Sequence, residues 1–175
     1  MQLRPARPDD TPSLEALIRL SARGLSTDDY SHEEIETCVA HVFGVDSELV
    51  ADGTYLVIED EDRPVACGGW SRRKTLFGGD QYQARESGFL DPASDAAKIR
   101  AFFVHPDFAR RGLGSRLLEA CEDAARAAGF TRMEMMATLP GVKLYRALGY
   151  AAALPQVFAM PNGVSLTFVP MMKSL

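Results

Sequence analysis

VHPDFARRGLGSRLL, residues 104–118, joins an apolar run, Ile99 to Val104, to an amphipathic one that begins at Gly112. Leu113, Leu117, Leu118, Cys121, Ala124, Ala125 and Ala128 recur at helical spacing until Gly129, so the stretch reads as strand, glycine loop, helix. The first N–H groups of a helix have no intrahelical partner and carry about half a positive charge. They bind an anion wherever side chains leave room. Gly112 and Gly114 leave that room, and Arg110 and Arg111 add charge beside it. A tight turn with its arginines in solvent is the competing reading. Two other phosphate motifs fail on the letters. No Lys-Ser or Lys-Thr follows Gly114, as a Walker loop requires, and Leu117 stands where a dinucleotide fingerprint needs its third glycine.

The rest of the chain bounds the ligand. With 175 residues, 46% hydrophobic and 25% charged, it reads as one globular domain over 1–175. A net charge of -5 opposes a nucleic-acid groove or an anionic membrane as partner, because both need a basic surface. Cys38, Cys67 and Cys121 are far apart and form no C-x-x-C pair, so buried reduced thiols are expected rather than disulfides or zinc ligands. His32, His41 and His105 are too scattered for a metal site and read as structural or surface residues. The start MQLRPARPDD lacks a signal-peptide core and no apolar run nears the roughly 20 residues of a membrane span, so a cytoplasmic location is expected.

Outward from the loop, the pattern predicts a first strand at 1–4 and a helix capped by Thr11 with Leu14, Leu17 and Ile18 on one face. A capping box at Ser31-His32-Glu33-Glu34 opens a second helix running to Phe43. A hairpin joins 55–59 to 65–70, and a long polar connection follows from Lys74 to Ala97. After the loop and its helix come a strand at 132–137, a short helix from Gly141 to Leu148, and a closing hairpin of 157–160 with 164–169.

The stretch 104–118, followed by L-Y-R-A-L-G-Y at 144–150, resembles the GNAT superfamily of acetyl-CoA-dependent N-acetyltransferases, and the order of elements matches that family along nearly the whole chain. The resemblance implies an α/β (α+β) fold, with a mixed, mostly antiparallel central sheet splayed at the coenzyme site and flanked by helices. It implies that the N–H groups of Arg110, Arg111, Gly112, Leu113, Gly114 and Ser115 hold the pyrophosphate of coenzyme A. It also implies that the main chain of Phe102, Phe103 and Val104 pairs with the pantetheine arm. By the same resemblance the expected acceptor is a primary amine of a small molecule or a protein, no metal is expected, and a homodimer is expected from family habit and the apolar run 164–169. Two positions depart from the family pattern: Ala109 stands where Gln or Arg is usual, and Thr138-Leu139-Pro140 replaces a turn that often carries Asn.

Acetyl transfer needs a neutral amine, a donor for the developing oxyanion and an acid for the leaving thiolate. The resemblance assigns the acid to Tyr145, against a core tyrosine that packs its short helix. A main-chain N–H near Val104 is a candidate to polarise the carbonyl. Glu134 is the one acid in an otherwise apolar strand. It takes the amine proton through water if it faces the cleft, and is a solvated sheet residue if it faces outward. Tyr30, Trp70, Arg72, Arg73, Lys74 and Glu86 are candidates for the acceptor pocket, by the family's habit of choosing substrates there. A non-catalytic acyl-CoA-binding or sensor module is the alternative of a different class.

Overall fold

The computed structural model describes residues 1–175. Chain order is β1 (Gln2–Pro5), α1 (Thr11–Leu25), α2 (His32–His41), α3 (Ser47–Ala51), β2 (Tyr55–Asp60), β3 (Arg63–Ser71), β4 (Ala97–Val104), α4 (Leu113–Ala127), β5 (Arg132–Thr138), α5 (Val142–Ala147), β6 (Ala151–Ala152), β7 (Gln156–Ala159) and β8 (Ser165–Ser174). The sheet has eight strands in the order β1-β2-β3-β4-β5-β8-β6, with β7 also on β8. Only β4 and β5 are parallel neighbours; every other pairing is antiparallel. This is the mixed, mostly antiparallel sheet flanked by helices that the resemblance implies.

Local chemistry starts the helices. Ser31 Oγ accepts the Glu34 N–H while the Glu34 carboxylate accepts the Ser31 N–H at 2.7 Å, so the capping box opens α2. Thr11 is the first residue of α1 and Asp10 takes the capping position, one residue earlier than expected. Asp46 accepts the N–H groups of Glu48 and Leu49, which starts α3 inside a segment without an expected element.

The two faces of the sheet are covered separately. Leu14, Leu17 and Ile18 of α1 pack with Tyr55, Val57 and Cys67 on one face. Leu118, Cys121 and Ala125 of α4 pack with Ile99, Met133 and Met135 on the other. Burial of each leucine or methionine there contributes about 1.5–3 kcal/mol. All three cysteines are free and buried. No helix is long and apolar enough to cross a membrane. The run 164–169 proves to be the start of β8, which continues to Ser174 and is paired with β5 on one edge and with β6 and β7 on the other. Its Leu166, Phe168 and Val169 are buried within the chain, so its apolar character is used there and gives no argument for a dimer.

Two irregularities position the site. β4 and β5 pair only at Ala97 with Met133 and Lys98 with Glu134. Beyond those pairs β4 stays with β3 and β5 with β8, so a wedge opens between them. In β4 the register also slips, from Cys67 opposite Phe103 to Gly69 opposite Arg100, leaving an extra β4 residue against Gly68. Ala101 carries this bulge at φ +56. The Tyr55 hydroxyl donates to Ala101 O at 3.2 Å, and the Phe102 ring fills the space that a side chain at position 68 would need.

Candidate active site

A cleft of about 530 Å³ lies in the wedge. Residues 99–104 of β4 form one side and 135–138 of β5 the other; the loop and first turn of α4, with Leu144 and Tyr145 of α5, close one end. The opposite end is bounded by Phe43, Gly44, Phe77, Gly78 and Gly79. The unpaired edges of β4 and β5 face each other across it.

At the α4 end the chain turns through two left-handed residues, Arg110 at φ +59 and Gly112 at φ +78. Gly112 is the cap of α4, no side chain satisfies that helix end, and a Cβ built on Gly112 would have nothing within 4 Å. The first intrahelical bond runs from the Arg116 N–H to Gly112 O at 3.0 Å, so the N–H groups of Leu113, Gly114 and Ser115 are available to a ligand. Gly114 has a further reason to be glycine: a Cβ there would come within 2.9 Å of Leu144 Cδ2, so its bareness lets α5 approach α4. Arg110 borders the cleft, whereas Arg111 turns back and sets its guanidinium over the Phe108 ring at 5.0 Å.

Tyr145 enters the cleft from α5 and is 7% exposed. Its ring lies 6.4 Å from that of Phe102 and 6.0 Å from that of Tyr150, and Gly141 leaves the space under it. Burial, with Cys121 adding to it, pushes the phenol pKa well above its ordinary value, so the hydroxyl stays protonated. The Val104 N–H is engaged by Ser21 Oγ of α1 at 3.2 Å and is not free in this state. Glu134 stands at the closed end of the wedge, where its carboxylate pairs with Lys98, and it does not border the cleft.

Residues 16–150 match the model of the acetyltransferase (GNAT) family. The chain belongs to the GNAT family of acetyltransferases. Its structure is similar to that of a GCN5-related N-acetyltransferase from Rhodopseudomonas palustris, at TM-score 0.73 and 25% identity over 99% of this chain and 95% of that one. It is also similar to the PaiA N-acetyltransferase of Thermoplasma acidophilum in complex with coenzyme A, at TM-score 0.65 and 14% identity over 99% and 98%. The ribosomal-protein-alanine N-acetyltransferase of Brucella melitensis superposes at TM-score 0.63 and 17% identity over the whole of both chains. No curated protein matches the sequence.

In this GNAT protein the expected acceptor-pocket residues lie elsewhere. Tyr30 is buried, and its hydroxyl donates to Thr167 O at 2.7 Å while accepting the Leu139 N–H. Trp70 packs edge-on against Phe130 at 6.1 Å in the α4-side core. Arg72 and Arg73 lie over the Phe89 ring, and Arg73 also forks onto Asp52 at 2.7 Å. Lys74 and Glu86 stay within the long connection, where Lys74 N–H donates to Gly88 O and Glu86 O accepts the Thr75 hydroxyl. The residues that do wall this end, Phe43, Phe77, Gly78 and Gly79, come from two segments far apart in sequence. The connection is pinned there by Gly79 N–H to Val42 O at 2.8 Å and Asp80 N–H to Val45 O at 3.1 Å. The FGGD turn at 77–80 was the available signal, because close main-chain packing of this kind needs bare residues.

Proposed function

We propose that the protein is an N-acetyltransferase that moves an acetyl group from acetyl-CoA to a primary amine by direct attack in a ternary complex, with residues 1–175 acting as one unit. The observation that carries this reading is the wedge: two strands with unpaired facing edges, ending at a helix whose first N–H groups are free. These residues fit the coenzyme. The open β4 edge at Phe102 and Phe103 suits the amides of a pantetheine arm, with Val104 joining it only where Ser21 Oγ releases its N–H, and the α4 turn suits a pyrophosphate. Arg110 adds charge at the cleft and Arg111 adds it from outside. When bound, acetyl-CoA supplies a thioester-activated acetyl group.

Tyr145 Oη then holds the proton for the departing sulfur. Because its pKa is raised, full transfer to a thiolate of ordinary pKa near ~8.5 is uphill, so its first effect is a hydrogen bond to the developing charge. Glu134, paired with Lys98 away from the cleft, holds the closed end of the wedge; the amine arrives neutral or loses its proton to water.

Release of free thiol from acetyl-CoA, measured with a panel of amines, tests the proposal. Acceptor-dependent release at a rate that saturates with amine is expected. Tight coenzyme binding with no acceptor-dependent release across the panel contradicts it and points to an acyl-CoA-binding module.

A further inference from the structure

The end of the cleft away from α5 is walled by apolar rings and by one guanidinium. Phe43, Phe77, Met136 and Phe168 border it, with Phe77 at 5.5 Å from Phe168 and Phe43 at 5.3 Å from Phe103. Arg100 borders the same space, one residue before the bulge at Ala101, and its side chain is only 1% exposed. Its Nη2 donates to Gly78 O at 2.7 Å and pairs with Asp46, but Nε and Nη1 have no hydrogen-bond partner.

Asp46 does not complete the set. It is fully buried, already pairs with Arg85 at 3.1 Å and caps α3, and its Oδ2 faces Arg100 without hydrogen-bond geometry. Arg85 also pairs with Glu48 at 2.6 Å, so two carboxylates answer the two guanidiniums, and the donors left over are Nε and Nη1 of Arg100, the arginine beside the cleft. Buried charged donors are costly to leave unpaired, and a guanidinium fork suits a carboxylate. No Asp or Glu borders the cleft; its only charged side chains are Arg100 and, near α4, Arg110.

We propose that the acceptor is a small amine with an apolar or aromatic side chain and a carboxylate, and that Arg100 takes the carboxylate. The inference rests on the acetyltransferase reading above and specifies its substrate class. The rings hold the apolar body. Arg100, next to the bulge, holds the anion beside the strand assigned to the acetyl carrier, which leaves the amine free to approach the thioester.

The test compares kcat/KM with acetyl-CoA for phenylalanine and leucine against phenylalaninamide, 2-phenylethylamine, spermidine and a peptide with N-terminal Phe. The carboxylate-bearing acceptors should exceed their uncharged analogues by about tenfold or more. Arg100→Lys keeps the charge and loses the fork. It should lower kcat/KM for phenylalanine by about tenfold, through KM, and leave phenylalaninamide within about threefold. Preference for the amide, for spermidine or for the peptide overturns the inference, as does an equal loss on both acceptors in an Arg100→Lys protein that coenzyme A still stabilises. If that variant does not fold, the comparison of acceptors on the parent protein decides. Turnover of non-anionic amines alone removes this inference and keeps the acetyltransferase reading; no turnover of any amine removes both.

Discussion

The two ends of the cleft are made of different material. At the α4 end the cleft is lined by main chain: the free N–H groups of residues 113–115 and the unpaired edge of β4. At the far end it is lined by side chains, the rings of Phe43, Phe77 and Phe168, and by Arg100. Main chain offers the same donors and acceptors under many sequences, so it suits a constant ligand such as a coenzyme. Side chains change with each substitution, so they suit a ligand that distinguishes one relative from another. The boundary between the two falls at the bulge, and Tyr145 reaches into the cleft beside Phe102.

The largest effect is expected from that tyrosine, at the α4 end. Tyr145→Phe keeps the ring packing and removes the hydroxyl, so kcat should fall by roughly 10²- to 10⁴-fold while the coenzyme dissociation constant stays within about twofold. Rapid-quench measurement of the chemical step checks this. A parent-like rate would return Tyr145 to the core.

Gly112→Asp separates charge at the main-chain end from packing, because the site has open space and Asp tolerates its left-handed backbone better than most residues. A carboxylate at a helix cap favours the free protein but repels a pyrophosphate. The left-handed backbone should lower the unliganded melting temperature by a few degrees at most, while coenzyme affinity drops by about 100-fold. Gly114→Glu is less clean, since any side chain there meets Leu144. Parent-like coenzyme affinity in Gly112→Asp would contradict the account.

Behind the bulge, the Cys67 thiol is fully buried and burial pushes its pKa up to about 12 from 9.0. The folded pKa is the higher one. The thiol's contribution is therefore intact below pH 9.0 and is lost as pH rises toward 12, because only the unfolded chain sheds the proton in that window. From pH 7.5 to 10 the stability advantage of the parent over Cys67→Ala should shrink by about 1 kcal/mol, read from urea unfolding. A constant difference would show that the thiol ionises freely in the folded state.

The smallest expected effect is Tyr55→Phe, which removes the hydrogen bond that pins Ala101 O. It should cost about 1 kcal/mol in urea unfolding and weaken coenzyme binding by a few-fold. Unchanged binding would mean that the bulge holds its shape without the pin.

The same division explains what could be read from the sequence. The strand before His105, the Gly112 turn, the helix that follows and the α5 segment around Tyr145 were all legible, because contiguous residues with helix, turn and strand periodicity encode them. The bulge was not. Ala101 has no residue-type signal for a left-handed conformation, and the only hint is Gly68 on the opposite strand. The far end was hidden for a related reason. Arg100 reads as a charge on an apolar strand, and its partners Asp46 and Gly78, with Arg85 also on Asp46, are brought together only when the long connection folds back over α3. Glu134 shows the limit of strand patterning. The lone acid of β5 turned out to answer Lys98, its register partner on β4.

The central claim, that main chain holds the coenzyme, is most directly tested by amide hydrogen exchange with and without saturating coenzyme A. The account predicts slowed exchange concentrated at Phe102 and Phe103 and at Gly112 to Ser115, with little change at Phe43 and Gly78. Protection absent from both main-chain segments while binding is saturated, or centred on the Phe43 and Gly78 end, would contradict it.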